Sequence, residues 1–397
     1  MPSRESSQRP VHLNAQERIL QGSFYTPAKY VQLVGEWLRE HGLTRDCVIL
    51  DPSCGYGAFF ELATQFPENR FIGNDIDEAA VSQVASQFPK VKTFRKNALA
   101  GVSREMYDIL AEETLVVVGN PPYNDVTSQY QGKLKQTTKP LMDADVKSRD
   151  LGLSSLLAYT KLRADYVAIL HPLAYLIKRA NFKAAKPFFA NYRLLHHVVF
   201  SSQEFAGTSK ATGFPVIVGF YERHPDHGLG YDDVRQMAFT TAEGKSFSLG
   251  QFRYVSEFIR KYPSRSCALT GILFYTLRDI NALRRCRTFL DKPTANALQV
   301  ATEQLPYYCY IDCFKDYLDE VPYYLGNFDI PIDLEQFAAC QDAVVAVSQW
   351  KHPEIFGPCK RPPAKAFQTV KKLILSTISR KANGTNETSA TWFVGGD

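Results

Sequence analysis

"LVVVGNPPYND", residues 115–125, is an apolar run that stops against a polar residue, two prolines and a tyrosine. Leu115 to Val118 fit a short strand covered on both faces, as in a parallel sheet. Gly119 and the Pro121-Pro122 pair then forbid any continuation, because proline fixes φ and offers no backbone donor to a ladder. Asn-Pro is also ordinary turn chemistry, and Pro-Pro can simply stiffen a loop. The stretch acquires meaning only from what surrounds it.

Further short apolar segments lie on either side: "CVILD" (47–51), "RFIGND" (70–75), "VKTFR" (91–95), "YVAILH" (166–171) and "PVIVGFY" (215–221). Helix-like segments such as "AFFELATQF" and "EAAVSQVASQF" separate the first three. Strand alternating with helix predicts an α/β fold, a twisted and mostly parallel sheet with helices on both faces. Ligands of such sheets bind beyond the carboxyl ends of the strands, so the residues just after each strand are the informative ones.

After the first strand stands "DPSCGYG", with Asp51 followed by Pro52, Cys54, Gly55 and Gly57. Closely spaced glycines make a tight turn whose amides can approach a ligand, although simple strand-to-helix turns look the same. After the second stands Asp75, where a carboxylate can accept hydrogen bonds from ribose hydroxyls. After the third stands Asn97, whose amide could read an adenine edge. Each alone could be a surface turn residue or a helix cap. Together they line one edge of one sheet.

The set "GSFYTP" (22–27), "DPSCGYG" (51–57), "GNDID" (73–77), "KNAL" (96–99) and "GNPPY" (119–123) resembles the N6-adenine DNA methyltransferases that use S-adenosylmethionine, in the motif order of the gamma group. The resemblance covers roughly residues 20–222. It implies a Rossmann-like S-adenosylmethionine-dependent sheet and no metal. Phe24, Tyr25 and Thr26 would close over the methionine part of the cofactor, Asp51 and Gly55 would meet its charged groups, Asp75 its ribose and Asn97 its adenine, with Ile76 and Ala98 as apolar walls. Two departures from the usual pattern stand out: Asp75 occupies a position often held by Glu, and Asn97 one often held by Asp. At the catalytic motif, the resemblance implies that the Asn120 side-chain oxygen and the Pro121 carbonyl hold the amine of a flipped adenine. Pro122 stiffens the turn and Tyr123 stacks on the base. A second aromatic wall is expected at Phe205 in preference to Phe214, which abuts the last strand.

The remaining chain, from about 226, is expected to be a mixed α+β target-recognition domain after a catalytic domain spanning 1–225. Basic runs support a polyanionic partner: 172–193 with Lys178 and Arg179, 251–292 with Arg284 and Arg285, and 351–381 with Lys360 and Arg361, around an acidic stretch at 303–342. A single basic run is more often a solvated face than a binding track. The alternation of sign suggests that the basic pieces face the phosphates of double-stranded DNA. A long polar loop, 124–150, is expected to order over the base or the DNA. A fused restriction nuclease is not expected, and a separate cognate restriction endonuclease stays open as a partner.

Composition sets outer limits. At 397 residues with 45% hydrophobic and 13% aromatic content, the chain can build two cores. No run approaches the ~18 apolar residues of a membrane span and no signal-like segment opens the chain, so a cytoplasmic enzyme without membrane contact is expected. The eight cysteines lack paired CxxC spacing, so they read as reduced thiols rather than a zinc site. A net charge of +5 is too mild to argue for nucleic acid by itself. Two other readings stay open. One is methyl transfer to RNA bases or to a protein glutamine amide, and the other is a non-catalytic binding subunit that has kept the fold.

Overall fold

The computed structural model describes residues 26–123, 141–148, 150–205, 213–259, 268–276 and 279–380. Phe24 and Tyr25, most of the 124–150 loop, and Arg260, Lys261, Arg265, Arg278 and Lys381 of the basic runs lie outside the described residues. The chain divides into two compact units, residues 1–234 and 235–397. Among the described residues, no helix is long and apolar enough to cross a membrane.

The first unit is a doubly wound α/β layer. Helix α1 (Ala28–Glu40) precedes strand β1 (Arg45–Asp51). Then come β2 (Glu68–Asn74), α2 (Glu78–Gln87), β3 (Lys92–Phe94), β4 (Thr114–Gly119), α3 (Leu151–Lys161), β5 (Tyr166–Pro172), β6 (Tyr192–Ser201) and β7 (Pro215–Arg223). These strands form one seven-stranded sheet in the order β3-β2-β1-β4-β5-β7-β6. β1 to β5 run parallel, while β7 is antiparallel to both β5 and β6. The α/β class with a mostly parallel sheet, expected from the alternating segments, is the class observed.

The central strands form because their residues are apolar on both faces. Ile49, Leu50, Val116, Val117, Val118, Val167, Ile169, Leu170, Val216 and Val218 are all buried. Each such side chain removed from water contributes roughly 1.5–3 kcal/mol, which outweighs weak local propensity. α1 is covered along one stripe only, burying Tyr30, Val31, Val34, Trp37 and Leu38 at helical spacing. Two local expectations differ from the structure. "AFFELATQF" forms a short 3-10 segment, Ala58–Thr64, rather than a full helix. β6 has no counterpart among the expected strands, because its central residues are only partly buried and include His196 and His197.

The topology fixes where a ligand can sit. Strand order reverses between β1 and β4, which are hydrogen-bonded neighbours with Leu50 opposite Val117. At such a reversal the connections leave in opposite directions and open a crevice beyond the strand ends. Asp51 closes β1 and Gly119 closes β4 at that point.

The second unit is mixed α+β. An antiparallel sheet of three strands, Leu269–Tyr275 between Phe289–Leu290 and Ala297–Ala301, accompanies helices Leu305–Lys315, Leu334–Lys351 and Ala364–Ile378. Among its buried acidic residues is Asp312, 1% exposed. That carboxylate accepts from Thr288 Oγ1 at 2.6 Å, Ser348 Oγ at 3.0 Å and His352 Nε2 at 2.9 Å, with Lys351 Nζ at 3.1 Å.

Candidate active site at the carboxyl edge of the sheet

The turn after β1 is built by a buried amide on the next strand. Asn74, fully buried at the end of β2, donates Nδ2 to the carbonyls of Pro52 (2.9 Å) and Lys96 (3.0 Å). Its Oδ1 accepts from Lys96 N–H at 2.9 Å. One side chain thus fixes the loops after β1 and β3 at once. Sequence reasoning passed over Asn74; the signal was a polar residue closing an apolar strand, where burial is tolerable only with its hydrogen bonds made.

Cys54 is buried and donates its backbone N–H to Asn74 O at 2.8 Å. Gly55 and Gly57 then take left-handed φ values of +48° and +80°. A Cβ at Gly57 would come within 2.8 Å of Phe60, whereas one at Gly55 would meet nothing within 4 Å. The turn therefore presents bare backbone to open space at Gly55 and packs tightly behind it.

Asp75 stands opposite. Its Oδ2 accepts from Gly55 N–H at 2.8 Å and its Oδ1 from Asp77 N–H at 3.0 Å, each oxygen keeping acceptor capacity. The next residue, Ile76, is 68% exposed and offers an apolar surface beside the turn. After β3, Asn97 Oδ1 accepts from Leu99 N–H at 3.0 Å and its Nδ2 donates to Leu141 O at 2.7 Å. This pins the amide and leaves one N–H and one lone pair for another partner. Ala98 is partly buried beside it.

β4 ends on Gly119 at φ +153°, and a Cβ there would lie 2.9 Å from Asp51 Oδ1. Glycine is required so that the Asp51 carboxylate can lie against the chain leading into Asn120. Pro121 is buried; Asn120, Pro122 and Tyr123 are partly buried. The Tyr123 hydroxyl donates to Asn120 Oδ1, and burial pushes that hydroxyl well above the usual tyrosine range. At the end of β5, burial holds His171 down to about 4 against a smaller opposing effect of the Pro172 carbonyl. The neutral ring donates Nδ1–H to Pro172 O (3.0 Å) and accepts the Tyr221 hydroxyl at Nε2 (2.7 Å). Tyr175 stacks on it at 5.6 Å and donates its hydroxyl to Asp150. Nothing in the sequence around His171 marked it.

Two carboxyl groups, Asp51 and Asp75, lie near each other at this turn. Asp51 is 2% exposed and accepts one backbone bond, from Ser53 N–H at 3.1 Å. Burial raises it to about 8; the Ser53 bond opposes this and the nearby Asp75 adds to it. Asp75 is raised by burial too, against the amides of Asp77 and Gly55. Neither has a salt-bridge partner among the described residues. An acidic pair without a cation, beside a glycine turn with open space and an exposed isoleucine, suits a ligand carrying positive charge and an apolar ring.

The other sequence-picked residues fall as follows. Thr26 is 3% exposed. Phe205 is 2% exposed and meets Phe200 edge-on at 5.5 Å, while Phe214 is only partly buried, the reverse of the expected order of availability. Lys178 is partly buried and Arg179 exposed, its guanidinium 4.8 Å from the Tyr231 ring. In the second unit Arg285, Lys360 and Arg361 are exposed, with Arg361 5.3 Å from the Trp350 ring. Arg284 is held internally by Asp319 Oδ1 at 2.8 Å and by the Leu318 carbonyl.

No family model matches the chain, and no curated protein matches it. Among solved structures, it is similar to the methyltransferase subunit of a type I restriction-modification system from Streptococcus thermophilus. That match has 15% identity over 57% of this chain and 48% of that one, with a TM-score of 0.36. It is also similar to TrmN from Thermus thermophilus, at 19% identity over 49% of this chain and 52% of that one, TM-score 0.31. A SAM-dependent methyltransferase from Anabaena variabilis matches at 10% identity over 53% of this chain and 92% of that one, TM-score 0.33.

Proposed function

We propose that the carboxyl edge of this sheet binds S-adenosylmethionine and directs methyl transfer to N6 of an adenine rotated out of double-stranded DNA. The observation that carries the reading is the Asn120-Pro121-Pro122-Tyr123 turn at the strand-order reversal, with Asp51 against Gly119 beside it. Asp51, Pro52, Cys54, Gly55 and Gly57 would hold the charged end of the cofactor, joined by Phe24, Tyr25 and Thr26. Asp75 would take its ribose; Ile76, Asn97 and Ala98 its adenine. When bound, the cofactor supplies an electrophilic methyl group on a sulfonium.

The chain's own task is to hold the acceptor. An adenine amine is a poor nucleophile because its lone pair is delocalised into the ring, so its hydrogens have to be fixed by acceptors that hold the nitrogen aligned. Asn120 Oδ1 and the Pro121 carbonyl are such acceptors, and the prolines limit how far that carbonyl can swing. The amide oxygen of Asn120 now receives the Tyr123 hydroxyl. An entering amine takes over that acceptor, and the freed Tyr123 ring can then cover the base. Phe214, partly buried where Phe205 is enclosed, is the more accessible second wall.

The second unit would carry target recognition, with Arg285, Lys360 and Arg361 exposed for phosphate and Lys178 and Arg179 contributing from the first. A separate endonuclease partner fits a modification enzyme of this kind. Incubating the full chain with cofactor carrying a radiolabelled methyl group, in the presence of plasmid DNA, total RNA or a protein extract, tests the reading. Label in plasmid as N6-methyladenine is expected. Label confined to RNA or to glutamine side chains would replace the substrate, and absence of cofactor binding would remove the reading altogether.

A further inference from the structure

The end of the sheet opposite the Asn120 turn carries a set of donor atoms that methyl transfer leaves unused. α1 closes on Glu40, and His41, the residue that ends it, donates its backbone N–H to Trp37 O at 3.1 Å. The His41 ring lies near Tyr166, the first residue of β5, with centroids 6.3 Å apart. His41 Nε2 is 2.8 Å from Nε2 of His196 on β6, and Glu40 Oε2 is 3.8 Å from that same nitrogen. The three ligand atoms all lie within 4.8 Å of one another.

Both rings are held from behind. Trp37 stacks on His196 with centroids 5.5 Å apart and planes at 14°, and Phe220 sits 5.0 Å from His41. The pairing of β6 with β7 shifts register between Leu194 and His196. An irregularity of that kind re-aims a side chain, here immediately before the histidine that faces α1. A bare imidazole pair sharing one proton would explain the 2.8 Å contact alone. It does not explain the adjoining carboxylate or the bulge.

We propose that Glu40, His41 and His196 form a binding site for a zinc-class divalent cation, with solvent completing the shell. Two imidazole nitrogens and one carboxylate oxygen are the donor set that suits zinc and its neighbours rather than magnesium or calcium. Tetrahedral Zn–N bonds of about 2.0–2.1 Å place two nitrogens roughly 3.3 Å apart, so the rings separate by about half an ångström on binding. The site joins the end of α1 to the antiparallel edge of the sheet. It departs from the expectation of no metal, which rested on cysteine spacing and on the chemistry of methyl transfer.

The test uses the full chain freed of metal by chelator and titrated with zinc by calorimetry, with cobalt(II) as a spectroscopic stand-in. One equivalent of zinc is expected, unaffected by excess magnesium, and cobalt bound without the charge-transfer absorption of a thiolate ligand. His41→Asn and His196→Gln should each lower zinc affinity at least tenfold. Glu40→Gln, on a side chain 61% exposed and so without consequence for folding, should lower it less. Zinc should raise the melting temperature of the wild type and leave that of the histidine variants unmoved. Absence of stoichiometric zinc, a thiolate signature, or unchanged affinity in folded His196→Gln and Glu40→Gln would overturn the site.

Discussion

Asp51 and Asp312 are equally buried, at 2% and 1% exposure, yet their surroundings push them in opposite directions. Asp51 receives one backbone N–H, has a second carboxylate nearby, and is raised to about 8. For Asp312 burial acts the same way, but the bond from His352 and the charges of Lys351 and His352 outweigh it and hold the group at about 2. Burial alone therefore does not distinguish a binding site from a structural keystone. The inventory of partners does: Asp312 is balanced by Lys351 and His352 within its own unit, whereas among the described residues no cationic side chain pairs with Asp51.

The largest effect expected from this contrast is on stability. Asp312→Ala removes the buried carboxylate that Lys351 and His352 share, leaving them only the more exposed Asp316 and Glu354, and should destabilise the second unit by about 3 kcal/mol in urea denaturation. A loss under 1 kcal/mol would mean that the network carries no net weight. Its pH dependence follows from the shifts. Asp312 is depressed below its ordinary 3.8, so its contribution is full above about pH 4 and disappears as pH falls toward 2. His352 is raised, burial opposing and Asp312 prevailing, so its share is full below about 6.5 and is lost as pH rises through its folded value.

Asp51→Asn should act with the opposite sign. A carboxyl raised to about 8 binds its proton more tightly folded than unfolded, so the wild type loses stability progressively between about pH 4 and 8. The asparagine variant lacks that slope and should be the more stable protein at pH 8, by on the order of 2 kcal/mol. It should also bind S-adenosylmethionine about tenfold more weakly, a loss of ~1.4 kcal/mol. The wild type should bind more tightly as pH approaches 8, because a cationic ligand favours the ionised carboxylate, and the variant should show a flatter profile by calorimetry. Equal slopes in the two proteins would separate Asp51 from the cofactor.

The smallest effect concerns the arginine pair. Arg285 is exposed, and Arg285→Glu should lower the slope of log affinity for duplex DNA against log salt by about 0.9. Arg284→Glu breaks the pair with Asp319 and should show its effect in thermal stability first. If both substitutions left DNA affinity and its salt slope untouched, the polyanion surface would lie elsewhere.

Much of the fold could be read in advance because central parallel strands are apolar on both faces and leave continuous runs such as Val116–Val118. β6 could not, since its middle is partly buried and carries two histidines. The Asn120 turn was legible because an apolar strand stops there against Asn-Pro-Pro-Tyr and the other motifs fall in order along the same sheet edge. Asn74 and His171 were not, because their roles come from partners on other strands. Part of the alternating charge of the C-terminal half is paired inside the unit: Lys351 pairs with Asp312 and Asp316, Arg284 with Asp319, and Arg380 approaches Asp333. Phe205 and Phe214 exchanged their expected exposure for a similar reason: Phe205 meets Phe200, a contact no local pattern reveals.

Formation of N6-methyladenine in duplex DNA by the wild type and by Asn120→Ala, with cofactor binding measured alongside, bears most directly on the assignment of the sheet edge. Loss of at least a thousandfold in turnover with cofactor affinity within about threefold of wild type is expected if the amide oxygen holds the amine in the transition state. Undiminished methylation by the alanine variant would contradict the account.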